Sequence, residues 1–149
     1  MSLNKFTIQK SFAINAGAGS GKTYTLSRRY INAILGFDFF REKGFEDIYF
    51  ENLKQATTKQ IVTITYTEAA ALEMKERIFG LISKILSVDS LDDIDADKSS
   101  ILEAFKILNL EQKNYVINTL QQALVQSSHP PPPTPHPPPP HPLNPPPDT

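Results

Sequence analysis

The sequence predicts an α/β fold: an incomplete parallel sheet with flanking helices, followed by a disordered Pro-rich tail. Three observations point there. Phe12–Asn15 is a short apolar-rich run that stops at glycines, the pattern of a buried strand entering a turn. Gln60–Thr65, "QIVTIT", is β-branched and apolar, a second strand. Each run is followed by residues of helical period, and strand–helix–strand–helix is the order of a parallel sheet.

The elements follow in order. Thr23–Leu35, "TYTLSRRYINAIL", reads as a helix with Leu26, Tyr30, Ala33 and Ile34 on one face and Gly36 as its stop. Residues 37–59 mix aromatics and charges without a period, an irregular insertion with a short helix. A long helix is expected from Glu68 to about Leu86, capped by Thr67, with Ala71, Met74, Ile78, Leu81, Ile82 and Ile85 as its apolar stripe. "SVDSLDDIDADKSS" reads as a solvated acidic loop. Ile101–Leu108 and Gln112–Val125 read as a helical pair broken near Asn109. All 13 Pro and all 3 His lie in residues 129–149, a composition that cannot pack a core and favours polyproline II or disorder. The expected domains are therefore 1–86, a helical continuation 87–128, and the tail 129–149.

Composition narrows the function. The net charge of -1 gives no global basic field, so any nucleic-acid contact must be local. With no Cys, disulfides and thiolate metal sites are excluded. No apolar run approaches the about 18–20 residues of a membrane span. The first residues lack the apolar core of a secretion signal. These features suggest a cytoplasmic chain with no membrane partner.

The chemistry concentrates in Ala16-Gly17-Ala18-Gly19-Ser20-Gly21-Lys22-Thr23. It matches the phosphate-binding loop G-x-x-x-x-G-K-[ST], with Ala16 in place of the first Gly. Glycines let backbone N–H groups approach phosphate oxygens, and the helix start aims its positive end at the same anion. Lys22 suits the β and γ phosphates as a mobile charge, and the Thr23 hydroxyl suits Mg²⁺, which prefers oxygen ligands. The loop alone does not separate helicases from kinases, transporters or GTPases.

The second motif is "TITYTEAAALEMKERI", Thr63 to Ile78. It resembles motif Ia of superfamily 1 DNA helicases, T-[FY]-T-x-x-A-A-x-E-[ML]-x-x-R-[IL]. Glu68 after the second Thr is closer to the RecB and AddA branch than to UvrD and Rep. The resemblance covers about residues 10–86 and implies a RecA-like P-loop NTPase motor domain that uses ATP and Mg²⁺. It implies Lys22 and Thr23 as catalytic residues. It places Thr65, Tyr66 and Thr67 on a single-stranded DNA path, with hydroxyls for phosphates and the Tyr66 ring near a base. It further implies duplex DNA as substrate, DNA repair and recombination as the setting, and partnership with a second helicase–nuclease subunit. The residues alone favour Tyr66 as a core aromatic at a strand end, and the resemblance brings the two readings level. The residues read Glu73, Lys75, Glu76 and Arg77 as solvated charges, and Arg28 and Arg29 as a solvated face.

Some of the family pattern is missing. UvrD and Rep members carry a Gln that reads adenine well upstream of the loop, whereas Gln9 lies only seven residues before Ala16. ATP hydrolysis also needs an acidic motif after a later strand and an arginine finger from a second motor domain. Neither occurs in the sequence, so the chain by itself is expected to bind nucleotide weakly at best and not to unwind DNA. The tail reads either as a P-x-x-P ligand for an SH3- or WW-type groove or as the product of truncation or frameshift. Its abrupt start favours the second reading. Another phosphate-loop NTPase and a non-catalytic Pro-rich binding module are the alternatives.

Overall fold

The computed structural model describes residues 4–9, 21–45 and 67–128. Four α-helices carry the described fold: α1 (Lys22–Leu35), α2 (Glu68–Leu86), α3 (Lys98–Lys106) and α4 (Leu110–Ser128). A 3₁₀ turn at Val88–Ser90 follows α2. The helices α1, α2 and α4 pack pairwise around one core.

The helix ends follow from local chemistry. Thr67, in extended backbone, accepts the Ala70 N–H at 3.1 Å through Oγ1 and starts α2 at Glu68. Asn109 and Gln112 cap α4 reciprocally: the Gln112 N–H donates to Asn109 Oδ1 at 2.8 Å, and the Asn109 N–H to Gln112 Oε1 at 3.0 Å. Gly36 ends α1 in the left-handed region at φ 82°, with its N–H bonded to Asn32 O at 2.8 Å. The expected span of α2, its Thr67 cap and the break near Asn109 all occur.

The buried faces differ more from expectation. On α2, Met74, Ile78, Leu81, Ile82 and Ile85 are buried as expected, while Ala71 is exposed. On α1, only Ile34 of the expected stripe is buried, and Leu26 is 42 % exposed. The inward line is instead Arg28, Ile31, Asn32 and Leu35, which has helical spacing but two polar members. The residues after α1 are irregular as far as 45, with no helix there, yet Phe37, Phe39 and Phe40 are core. Phe39 meets Phe40 and Phe105 edge to face, with centroids 5.0 and 5.1 Å apart.

The expected parallel-sheet α/β architecture is corrected here. Among the described residues there is no strand and no sheet. Both expected strands, Phe12–Asn15 and Gln60–Thr65, lie outside the described residues, as does the tail from 129. The physical reason is visible in the core. The apolar faces of α1, α2 and α4 close on one another, with Ile31, Leu35, Ile82, Ile85, Val116 and Leu120 at 0 or 1 % exposure. Helix packs on helix, with the three phenylalanines between.

Asn32 ties the chain's early segment to this core. Its Nδ2 donates to Phe6 O at 2.8 Å and Phe40 O at 2.9 Å, and its Oδ1 accepts the Phe40 N–H at 2.8 Å. Asp38 Oδ1 accepts the Ile8 N–H at 2.8 Å, so residues 4–9 run along the start of the irregular stretch. Tyr115 on α4 donates its hydroxyl to Leu35 O at 2.6 Å and closes the end of α1.

Arg28 is not on a solvated face. It is 3 % exposed, and its Nη2 donates to Asp97 Oδ1 at 2.7 Å. Its guanidinium stacks 3.4 Å from the Tyr24 ring centroid and 5.2 Å from that of Phe40. Lys84 on α2 donates to Asp97 Oδ2 at 2.8 Å and lies 3.1 Å from Asp95 Oδ2. The acidic loop is therefore anchored rather than merely solvated. Lys98 reinforces it, donating to Asp93 and to Leu91 O at 2.8 Å each. Arg29 is half-buried and has an interaction of its own. Glu73, Lys75, Glu76 and Arg77 are exposed as expected, with a Glu73–Arg77 pair at 3.1 Å.

These charges hold one another in their ionised forms. Burial alone would raise the Asp97 carboxyl, but hydrogen bonds from Lys84 and Arg28 outweigh it and hold it below the usual range. The Asp97 N–H, then Lys84, lowers the Asp95 carboxyl. The hydrogen bond to Asp97 raises Lys84.

This packing has measurable consequences. Asn32→Ala leaves the buried Phe40 N–H and two carbonyls without their partner, at about 1–3 kcal/mol for a buried orphan. Urea denaturation should therefore show a loss of about 3 kcal/mol, and a loss below about 1 kcal/mol would contradict the tie. Carboxyls lowered on folding stabilise above the ordinary carboxylate pKa of about 3.9, and that stability is lost as pH falls through their folded values. The raised Lys84 stabilises below about pH 10.4 and loses its contribution only as pH climbs past that. The urea midpoint should be level from about pH 5 to 9 and fall below about pH 4. Asp97→Asn should cost about 3 kcal/mol at neutral pH and flatten the acid limb.

Candidate functional site

Of the expected phosphate loop, Gly21, Lys22 and Thr23 are described; Ala16, Gly17, Ala18, Gly19 and Ser20 lie outside the described residues. Gly21 precedes α1 at φ 87° and ψ 17°. A Cβ there would meet nothing within 4 Å, so the left-handed backbone, not space, calls for glycine. The first intrahelical bond is Thr25 N–H to Gly21 O at 3.1 Å. The N–H groups of Lys22, Thr23 and Tyr24 precede it and have no acceptor within the helix.

The first turns of α1 and α3 carry no acid and no side-chain cap, unlike that of α2. The macrodipole makes an N-terminus positive and favours acids in the first turn. The first turns of α2 and α4 carry Glu68 and Glu111. That of α1 has no acid and no side-chain cap, and it opens with Lys22. Lys22 is exposed and has no ion pair among the described residues, and Thr23 is half-buried beside it. The Lys98 that opens α3, by contrast, is paired with Asp93. Amide donors, a helix dipole and an ammonium thus converge on one place, and together they suit a polyanion. A hydroxyl beside them is an oxygen donor of the kind Mg²⁺ takes.

The early segment borders this end. Phe6 packs on Tyr24, the residue after Thr23, with ring centroids 6.0 Å apart. Gln9 belongs to the same segment, is exposed, and donates its N–H to Thr7 Oγ1 at 3.1 Å.

The expected DNA contacts divide. Thr65 and Tyr66 lie outside the described residues. Thr67 is exposed at the start of α2, where its hydroxyl caps the helix and Glu68 follows. That end is compensated by its own cap and acid, so it lacks the unbalanced positive charge that α1 shows.

Sequence reasoning misses the cluster of Arg28, Asp97 and Lys84. Arg28 and Asp97 are 69 positions apart, and no local pattern pairs them. Elsewhere, the face of α4 lined by Asn118, Gln121, Gln122, Val125 and Gln126 forms an open depression with no charged side chain. Among the described residues no group of three His, Asp or Glu could hold a metal ion. No described helix is long and apolar enough to cross a membrane.

Comparison with known proteins agrees with the family resemblance. Residues 3–129 match the UvrD/REP helicase N-terminal domain. The A subunit of an ATP-dependent helicase/nuclease from Ligilactobacillus salivarius is 33 % identical over 121 residues, 73 % of this chain and 8 % of that protein. Its namesake from Clostridium botulinum is 34 % identical over 105 residues, 70 % of this chain and 7 % of that protein. The one from Lactobacillus gasseri is 30 % identical over 117 residues, 73 % of this chain and 8 % of that protein. The chain thus spans less than a tenth of the length of these relatives. No solved structure matches. On the extent of the domain match and the identity to these relatives, the chain belongs to the UvrD/REP helicase family.

Proposed function

We propose that this chain is the ATP-binding N-terminal region of a RecB/AddA-like, ATP-dependent DNA helicase. The observation that carries the reading is the start of α1: exposed Lys22, no acid, no side-chain cap, and three amides ahead of the first helical bond. In this reading the backbone of Ala16 to Gly21 cradles the phosphates and Lys22 neutralises the β and γ groups. Thr23 would hold Mg²⁺ through its hydroxyl, and the ion when bound would supply positive charge to the phosphates. Thr65, Tyr66 and Thr67 lie along single-stranded DNA. Residues 1–86 carry both sites, and 87–128 complete the core that holds them. The family membership and the relatives' names support ATP as the nucleotide and DNA as the substrate. The word "subunit" in those names supports a second helicase–nuclease chain as partner. Coupling of ATP hydrolysis to unwinding in repair and recombination is, in this reading, an activity of the whole helicase, and it needs an acidic motif and an arginine finger besides this region.

Titrating the chain with a fluorescent ATP analogue and Mg²⁺ tests this. Loss of a hydrogen bond to a charged group costs about 1.5–3 kcal/mol. Lys22→Ala should therefore weaken binding about 10- to 150-fold. Thr23→Ala should weaken binding only when Mg²⁺ is present. Equal binding by wild type and Lys22→Ala would contradict the assignment.

A further inference from the structure

The phosphate site and the DNA stretch sit at the starts of two different helices, α1 and α2. A chain of charges joins those helices. Arg28, two turns into α1, bonds Asp97, and Asp97 bonds Lys84 near the far end of α2. The core around them is built on the apolar Ile31, Leu35, Ile82 and Ile85, with Asn32 as a buried polar member that bonds Phe6 and Phe40. Interdigitating apolar side chains already hold the two helices in register, and the charges add a directional tie between them. The Arg28 guanidinium is 3 % exposed, stacked 3.4 Å over Tyr24, and its Nε is buried without a hydrogen-bond partner among the described residues. A buried cation with one carboxylate partner has a steep dependence on position, because separating the pair strands a charge.

We infer that Arg28, Asp97 and Lys84 are positioning residues that couple the nucleotide site to the DNA site by locking α2 to α1. The inference rests on the proposed function. Lys84 lies 16 residues after Glu68, about 24 Å along a helix. As α2 is one continuous helix over that length, a clamp at Lys84 carries a shift of α1 along to Thr67. Tyr24, which stacks on Arg28, follows Thr23 directly, so the clamp also reaches back to the first turn of α1.

The test uses the full chain, a non-hydrolysable β,γ-imido ATP analogue with Mg²⁺, and a dT16 oligonucleotide. The readout is the ratio of the dT16 dissociation constants without and with saturating nucleotide. A merely structural role would move the unfolding midpoint and both affinities, and leave this ratio alone. In the wild type the ratio should differ from one by about fivefold or more, the usual size of allosteric coupling. In Lys84→Met and Asp97→Asn, each ligand alone should bind within about twofold of wild type, while the ratio falls toward one. Lys84→Arg should keep it. Lys84 is 36 % exposed, so its replacement is the gentler variant should Arg28→Met or Asp97→Asn fail to fold. An unchanged ratio in folded variants would overturn the inference, as would unfolding of every variant. A wild-type ratio of one, or binding of nucleotide without dT16, would overturn it and leave the nucleotide assignment standing. Wild type that binds neither ligand would overturn the proposed function and the inference with it.

Discussion

The buried guanidinium of Arg28 is the constraint around which the described fold is arranged. A cation at 3 % exposure is tolerable only where partners replace its water. Asp97 supplies a charge, Tyr24 and Phe40 supply ring faces, and Lys84 fixes Asp97 from its other side. Four separate stretches are thereby specified together: the first turns of α1, the aromatic run after it, the end of α2, and the acidic loop. Apolar contacts supply the bulk of the stabilisation, and this cluster ties the four stretches to one another by directional bonds. Whether such a pair adds net stability over an apolar replacement is a separate matter, and buried ion pairs often do not.

Asn32 has a complementary role about one turn further along α1. It satisfies backbone groups of both Phe6 and Phe40, so those peptide groups are buried with partners. The result places residues 4–9 alongside α1, with Phe6 against Tyr24. The start of α1 is therefore held on one side by packing while its amide end keeps Lys22 exposed. Support behind and an uncompensated charge in front is how a helix start serves as an anion seat.

How much of this is legible in the sequence depends on how local each cause is. Thr67, the five-residue stripe from Met74 to Ile85 and the Asn109 break are local, and each occurs where the residues suggest. The inward line of α1 is harder to read because it includes Arg28 and Asn32, and a reading by apolarity passes over polar residues whose partners are distant. The acidic loop looks solvated for the same reason: Asp97 meets Arg28 only in three dimensions. The sheet expectation comes from two β-branched or apolar runs and their order. The described core contains neither run, and it closes by helix-on-helix contact instead. Of the candidate site, the family motifs are readable from residue types and spacing alone. The unbalanced charge at Lys22 becomes apparent only by comparison with the acids that open α2 and α4.

At the centre stands a contrast between two helix starts: that of α2 has a side-chain cap and an acid, that of α1 has neither, and the polyphosphate seat is proposed at α1 alone. The most direct measurement follows backbone amide chemical shifts of the full chain as inorganic triphosphate is added, without any nucleoside. The largest shifts should fall at Gly21, Lys22, Thr23 and Tyr24, with Thr67 to Ala70 little changed. Shifts concentrated at α2, or spread evenly over the surface lysines, would contradict that contrast.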